Sequence, residues 1–235
     1  MLREICLDTE TTGLDPKDGH KIIEIACVEL INKVKTGKVF HTYINPRREV
    51  PFEAFKVHGL STEFLQDKPI FDLIVDKFLN FIGNDILVIH NASFDIKFLN
   101  FELNLVGRKP IDNSKVVDSL MIARKKFPGA QNSLDALCKR FNLDLSKREK
   151  HGALIDTELL CDVYIELMGG AQVGFGFDNI KKNEAIKNNQ IADVAVPKNF
   201  KKIIPARNFE LSNEELQKHE NFIKQNFKTN FWNYG

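Results

Sequence analysis

A chain of 235 residues, 43% of them hydrophobic, can fill one substantial core and still carry an appendage. Thirty-three Lys and Arg against 32 Asp and Glu leave a net charge of +1, which selects no partner class, because a locally basic or metal-loaded cleft is invisible in the total. No apolar run approaches 18 residues and a strand pattern starts almost at Met1, so neither a membrane span nor a signal peptide is expected, and the chain reads as cytoplasmic.

Cys6, Cys27, Cys138 and Cys161 are scattered among apolar residues without Cys-x-x-Cys spacing. They read as buried thiols of a reducing compartment, not as a disulfide frame or a zinc site.

Three strand patterns open the chain, over residues 4–9, 22–31 and 39–45, separated by turn-rich segments. Such short connections predict an antiparallel meander. The first pattern runs into Leu7-Asp8-Thr9-Glu10-Thr11-Thr12-Gly13. One residue separates Asp8 from Glu10, so on a strand both carboxylates point to the same face. Two like charges that close call for a cation between them, and hard divalent ions take several carboxylate oxygens. Taken alone, the stretch is equally compatible with an edge strand carrying solvated acids.

After Pro46 comes a stretch read as irregular, containing Val57-His58-Gly59-Leu60. Apolar spacing at Phe71, Ile74, Val75, Phe78 and Ile82 then predicts a helix over residues 70–82, ended by Gly83. Ile86–Ile89 has the wholly apolar pattern of a strand buried on both faces. A helix follows, with Ser93 expected as its N-cap and Phe94, Phe98, Phe101 and Leu105 as its core stripe. Asp95 then falls in the first turn, beyond the end of a central strand, where open α/β sheets place their sites.

A short strand over residues 115–117 delivers Asp118, which could support the site or cap a helix. Leu134, Leu137, Cys138 and Phe141 mark a helix capped by Ser133, and residues 153–168 form the last helix of the body. On that helix Asp156 shares a face with Leu160, Val163 and Leu167. An inward carboxylate needs a partner, because an unpaired buried charge costs several kcal/mol. His151 lies five residues upstream. Four acids and a histidine at element ends suggest a hydrolytic site with two divalent ions about 3.5–4 Å apart.

LDTETTG, HNASFD and HGALID, in that order and at these separations, resemble the three motifs of DnaQ-like 3′-5′ exonucleases with a catalytic histidine. NSLDALCKRFN and HGALIDTELLCDVYIELMGG are similar to the proofreading members of that family, over residues 2–177. The resemblance implies an α/β fold of the ribonuclease H-like type, a five-stranded mixed sheet flanked by helices, and a two-metal site for Mg²⁺ or Mn²⁺. In it Asp8 would bridge both ions, Glu10 and Asp156 would complete one, and Asp95 would hold the other partly through water. His151 would take a proton from the attacking water, releasing 5′-mononucleotides from a DNA primer 3′ end. Thr11, Gly13, Val57 and His58 match positions of the terminal-nucleotide pocket, with Phe94 as a wall against the base. For His58 a turn role before Gly59, and for Phe94 a core role, remain open.

His90 reads as a structural hydrogen-bonding residue, and His20, His41 and His219 as solvated. The basic clusters Arg124-Lys125-Lys126 and Lys147-Arg148-Lys150 are either a solvated face or contacts to strand phosphates.

Residues 1–170 are thus expected to form the nuclease domain. Within residues 171–177, Gln172, Phe175 and Phe177 resemble a sliding-clamp-binding motif, although a hydrophobic lid is an alternative. Residues 178–205 read as a flexible linker spanning roughly 30 Å as a random coil. In residues 206–235, Ser212 to Glu215 has the pattern of a capping box with Leu211 and Leu216 as a staple, opening a short helix. Its apolar side, with Phe222, Ile223, Phe227, Phe231 and Trp232, exceeds what one short helix can bury. The resemblance implies that this tail binds the polymerase alpha subunit. A related exoribonuclease acting on RNA 3′ ends is the alternative enzyme. A decayed structural subunit finds no support, since all five catalytic positions are filled.

Overall fold

The computed structural model describes residues 2–146, 150–169 and 212–226. The chain divides into two units, Met1–Phe177 and Asp178–Gly235.

In the first unit β1 (Arg3–Thr11), β2 (Ile22–Ile31), β3 (Val34–Tyr43), β4 (Ile86–Ile89) and β5 (Val116–Asp118) form one sheet in the order β3-β2-β1-β4-β5. The β1–β2 and β2–β3 pairs are antiparallel, as short connections demand, whereas β1–β4 and β4–β5 are parallel and joined through helices. This is the five-stranded mixed sheet expected from the sequence. β3 starts earlier than the apolar pattern suggested. Asn32 and Lys33, at φ 50° and 65°, make a tight turn that pairs Val34 and Lys35 with Ile31 and Leu30, and pairing resumes at Val39 after an irregularity across residues 36–38, a polar stretch where side-chain hydrophobicity gives no signal.

Alternation along β1 sorts the core. Ile5 and Leu7 pack with Ile25 and Cys27 of β2 against α3 (Phe71–Ile82) and α4 (Ala92–Leu105). Cys6 packs with Val28, Leu30 and Val88 against Leu160, Cys161 and Tyr164 of α7 (Ala153–Leu167). The same face of β1 therefore carries Cys6, Asp8 and Glu10 toward α7. α5 (Ser119–Lys126) and α6 (Leu134–Arg140) complete that layer through Ala123, Leu137 and Cys138.

The stretch read as irregular contains two short helices, α1 (Phe52–His58) and α2 (Thr62–Gln66). Each buries one residue, His58 or Leu65, so neither has an apolar periodicity to read. At α4 two expectations are corrected. The N-cap is Asn91, in the left-handed region at φ 65°, and Ser93 lies inside the first turn. The buried stripe is Ile96, Leu99 and Leu103 with Phe98, while Leu105 is 57% exposed. Large apolar side chains occupy adjacent faces of this helix, so spacing alone admits either stripe.

Asp118 is the cap that the sequence allowed. Its Oδ1 accepts from Leu120 N–H at 2.9 Å. The same carboxylate also accepts from Asn91 and Ala92 N–H at 3.1 and 3.2 Å, tying the starts of α4 and α5 together. Lys126 Nζ donates to the Leu167 carbonyl at the end of α7, a structural role for one member of a basic cluster.

In the second unit α8 (Asn213–Asn226) begins with the expected capping box: Glu215 N–H donates to Ser212 Oγ, and Ser212 N–H to Glu215 Oε2. Leu216 and Phe222 are exposed on it and Ile223 is buried. Gln172, Phe175, Phe177, the linker over 178–205, Leu211, Phe227, Phe231 and Trp232 lie outside the described residues. Among the described residues, no helix is long and apolar enough to cross a membrane.

Candidate active site

β1 ends between an antiparallel neighbour and a parallel one, and its carboxylates emerge there. Asp95, in the first turn of α4, reaches the strand from the other face. Its Oδ1 accepts from Thr9 N–H at 3.1 Å and from Thr9 Oγ1 at 2.7 Å. Asp156, in the first turn of α7, is 4% exposed and lies on the Glu10 side. One ligand atom each from Glu10, His151 and Asp156 falls within 4.8 Å of the others.

The electrostatics follow from this crowding. Burial, then the charges of Asp95, Glu10, Asp156 and Glu24, push the Asp8 carboxyl well above the usual carboxylate range. Burial lifts Asp95 to about 7, against the opposing pull of its hydrogen bonds from Thr9 and the backbone. Four crowded acids presenting hard oxygen donors fit divalent cations of the Mg²⁺ or Mn²⁺ type.

His151 is held from two sides. Its N–H donates to the Val57 carbonyl at 3.2 Å, and its ring Nδ1 lies 3.2 Å from Asp156 Oδ2. The ring is half exposed, unlike the carboxylate that it touches.

Two clefts flank the acids. One, of about 690 Å³, is lined by Glu10, Thr11, Gly13, Val57, His58 and Phe94, bringing together the residues that the motifs suggested for a nucleotide, together with Leu14, His20 and Glu53. His58 takes the turn role, its Nδ1 accepting from Leu60 N–H at 2.9 Å across the Gly59 turn, and its ring also lines the cleft. Burial lowers its pKa, so the ring is neutral with its proton on Nε2, a buried atom without a protein partner. Phe94 likewise packs on Phe98 at 5.1 Å between ring centroids and still forms cleft wall. Thr11 Oγ1 donates to the Gly13 carbonyl at 2.6 Å.

The other cleft, of about 770 Å³, has Asp8, His151 and Asp156 on one side and His90, Asn91, Arg124 and Asn132 on the other. Arg124 lines this cleft, whereas Lys150 Nζ sits 5.2 Å above the Phe55 ring. Lys147 and Arg148 lie outside the described residues.

Sequence reasoning misplaced two histidines. His20 is not solvated: its Nδ1 meets Thr12 Oγ1 at 3.2 Å and its ring fills the space a Gly13 side chain would need. His41 is paired with the buried Glu24 at 2.7 Å. His90 does bond structurally, to Ser119 Oγ at 2.9 Å, and His219 is exposed. Glu24, Glu53, His20 and Asn132 were missed because they lie outside the three motifs. For Glu24 alone there was a local signal, an acid inside the apolar run Ile22–Ile31.

A family profile described as "Exonuclease" matches residues 5–164. The DNA polymerase III subunit epsilon of Rickettsia typhi is 53% identical over 225 residues, covering 94% of this chain and 96% of that protein. The protein of the same name from Salmonella typhimurium is 47% identical over 227 residues, covering 94% and 91%. Among solved structures, exonuclease X in complex with 5′ overhanging duplex DNA is 29% identical with a TM-score of 0.56, covering 72% of this chain and 91% of that one. The nuclease domain of 3′hExo, a DEDDh family member bound to rAMP, is 19% identical with a TM-score of 0.62, covering 71% and 91%, and speaks for the fold alone.

Proposed function

From the premise that this chain belongs to the exonuclease family and, within it, to the DNA polymerase III epsilon subunits, we propose that its acidic cluster excises mispaired nucleotides from primer 3′ ends during replication. It is a 3′-5′ exonuclease of the proofreading kind, and a fold of this kind implies divalent metal ions. The observation that carries the site assignment is the meeting of Asp8, Glu10, Asp95, Asp156 and His151 between two clefts.

In this reading Asp8, Glu10, Asp95 and Asp156 would hold the divalent ions through their carboxylate oxygens. When bound, such ions supply Lewis acidity at the phosphoryl group and lower the pKa of water. His151, oriented through Nδ1 by Asp156, accepts the proton of the attacking water on its other nitrogen. The water oxygen bonds to the terminal phosphorus, the bond from phosphorus to the penultimate O3′ breaks, and O3′ takes up a proton from solvent to leave as a hydroxyl, while His151 returns its proton to solvent. A 5′-mononucleotide is released and the strand is one residue shorter. Thr11, Gly13, Val57 and His58 hold the terminal nucleotide, with Phe94 against its base, and the uncommitted His58 Nε2–H supplies a donor to it. Arg124 meets a phosphate of the continuing strand.

Residues 206–235 bind the polymerase alpha subunit and residues 172–177 the sliding clamp. The polymerase tether is supported by a properly capped α8 on which Leu216 and Phe222 are exposed.

A DNA primer with a 3′ mispair and a matched RNA oligomer, each incubated with Mg²⁺ or Mn²⁺ and with the native chain or Asp8→Ala, test the reading. DNA trimming that disappears in Asp8→Ala is expected. Preference for RNA, or trimming that survives the substitution, would overturn it.

A further inference from the structure

Glu24 lies across the ladder from Glu10, is 2% exposed, and has no part in the mechanism above. Like charges opposite one another on a sheet destabilise it, and burial adds to the cost, so this acid needs a compensating purpose. Both of its oxygens are engaged. Oε1 lies 2.7 Å from His41 Nε2, and Oε2 accepts from Ala153 N–H at 3.1 Å. Ala153 is the first residue of α7, two after His151 and three before Asp156. One turn later Thr157 Oγ1 donates to the Ala153 carbonyl at 2.6 Å and lies 3.3 Å from the Ala26 carbonyl of the same strand. Gly152, the N-cap of α7, has no side chain to satisfy the first N–H groups, so Glu24 fills that place from the sheet.

We propose that Glu24, braced by His41, is a positioning residue of the nuclease site: it fixes the first turn of α7 against β2 and thereby sets His151 and Asp156 opposite Glu10. This inference rests on the nuclease reading. It explains how a helix from the far end of the domain sequence meets a strand at its start with the closeness that cation binding requires. Groups that support ligands from behind, without touching the metal, typically change affinity or activity by about 10–100-fold.

The experiment compares Glu24→Ala and Glu24→Gln with the native full-length chain. It measures kcat and KM on a single-stranded DNA oligonucleotide, Mn²⁺ affinity by water-proton relaxation, and thermal melting. Glu24→Ala is expected to lower kcat and weaken Mn²⁺ binding, each by about 10–100-fold, with KM for the oligonucleotide unchanged. Glu24→Gln, whose amide oxygen still accepts from Ala153, should recover most of both. Native kcat and Mn²⁺ affinity in a folded Glu24→Ala protein, or a Gln variant as impaired as Ala, would overturn the proposal. If Glu24→Ala shows no cooperative melt, Glu24→Asp replaces it: the charge stays, the reach to Ala153 is lost, and the same fall in kcat is expected. Inactivity of the native chain on this oligonucleotide would instead sink the nuclease reading itself.

Discussion

Asp8 and Asp95 hold their protons more tightly in the folded chain than in the unfolded one. Between about pH 4, where an unfolded aspartate ionises, and the Asp95 value of about 7, the folded state therefore binds more protons. By linkage the metal-free protein loses stability as pH rises through this window. Buried His58, whose pKa is lowered, contributes in the opposite sense. Asp8→Asn isolates the acid term: in chelator it should raise the melting temperature more at pH 8 than at pH 5, and Mg²⁺ should stabilise the native chain more than this variant. An Asp8→Asn gain independent of pH would contradict the account. A second residue-scale prediction concerns His151, whose ring is close enough to the acids to be mistaken for a ligand. If it is a base, His151→Ala loses about 10²–10⁴ in kcat while Mn²⁺ affinity, read by calorimetry, stays native. A matching loss of affinity would make it a ligand.

Elements hold these residues through their ends. Asp118 joins the starts of α4 and α5, so Asp118→Ala should cost about 0.5–2 kcal/mol in urea unfolding, the price of a lost cap. Stability unchanged within error would mean that water replaces the carboxylate at both helix starts. The strands, α3, α6 and α7 were legible from continuous or periodic apolar runs, or from a hydroxyl cap at a fixed offset. α1 and α2 were not, since each buries a single residue, and the start of β3 is set by a turn and not by side chains. The stripe of α4 was ambiguous for the opposite reason, too many apolar faces.

At the scale of the whole molecule, the proposed function divides catalysis and delivery along the chain. Deleting residues 206–235 should abolish co-purification with the polymerase alpha subunit while trimming of free single strands stays native. Retained co-purification would refute the tether. Tethering raises the local concentration of nuclease at a primer end without adding a catalytic contact. Strand alternation gave Asp8 and Glu10 a common face in the sequence itself, whereas the roles of Asp95, His151 and Asp156 and the residues proposed for the terminal nucleotide came from the resemblance of the three motifs to a known family. What only tertiary structure decided is which neighbours support them. The pairing of Glu24 with His41 and Ala153, the burial that lifts Asp95, and the seat of His20 against Gly13 join residues far apart in sequence. Such contacts depend on register and helix docking, which a single sequence does not carry in any local period.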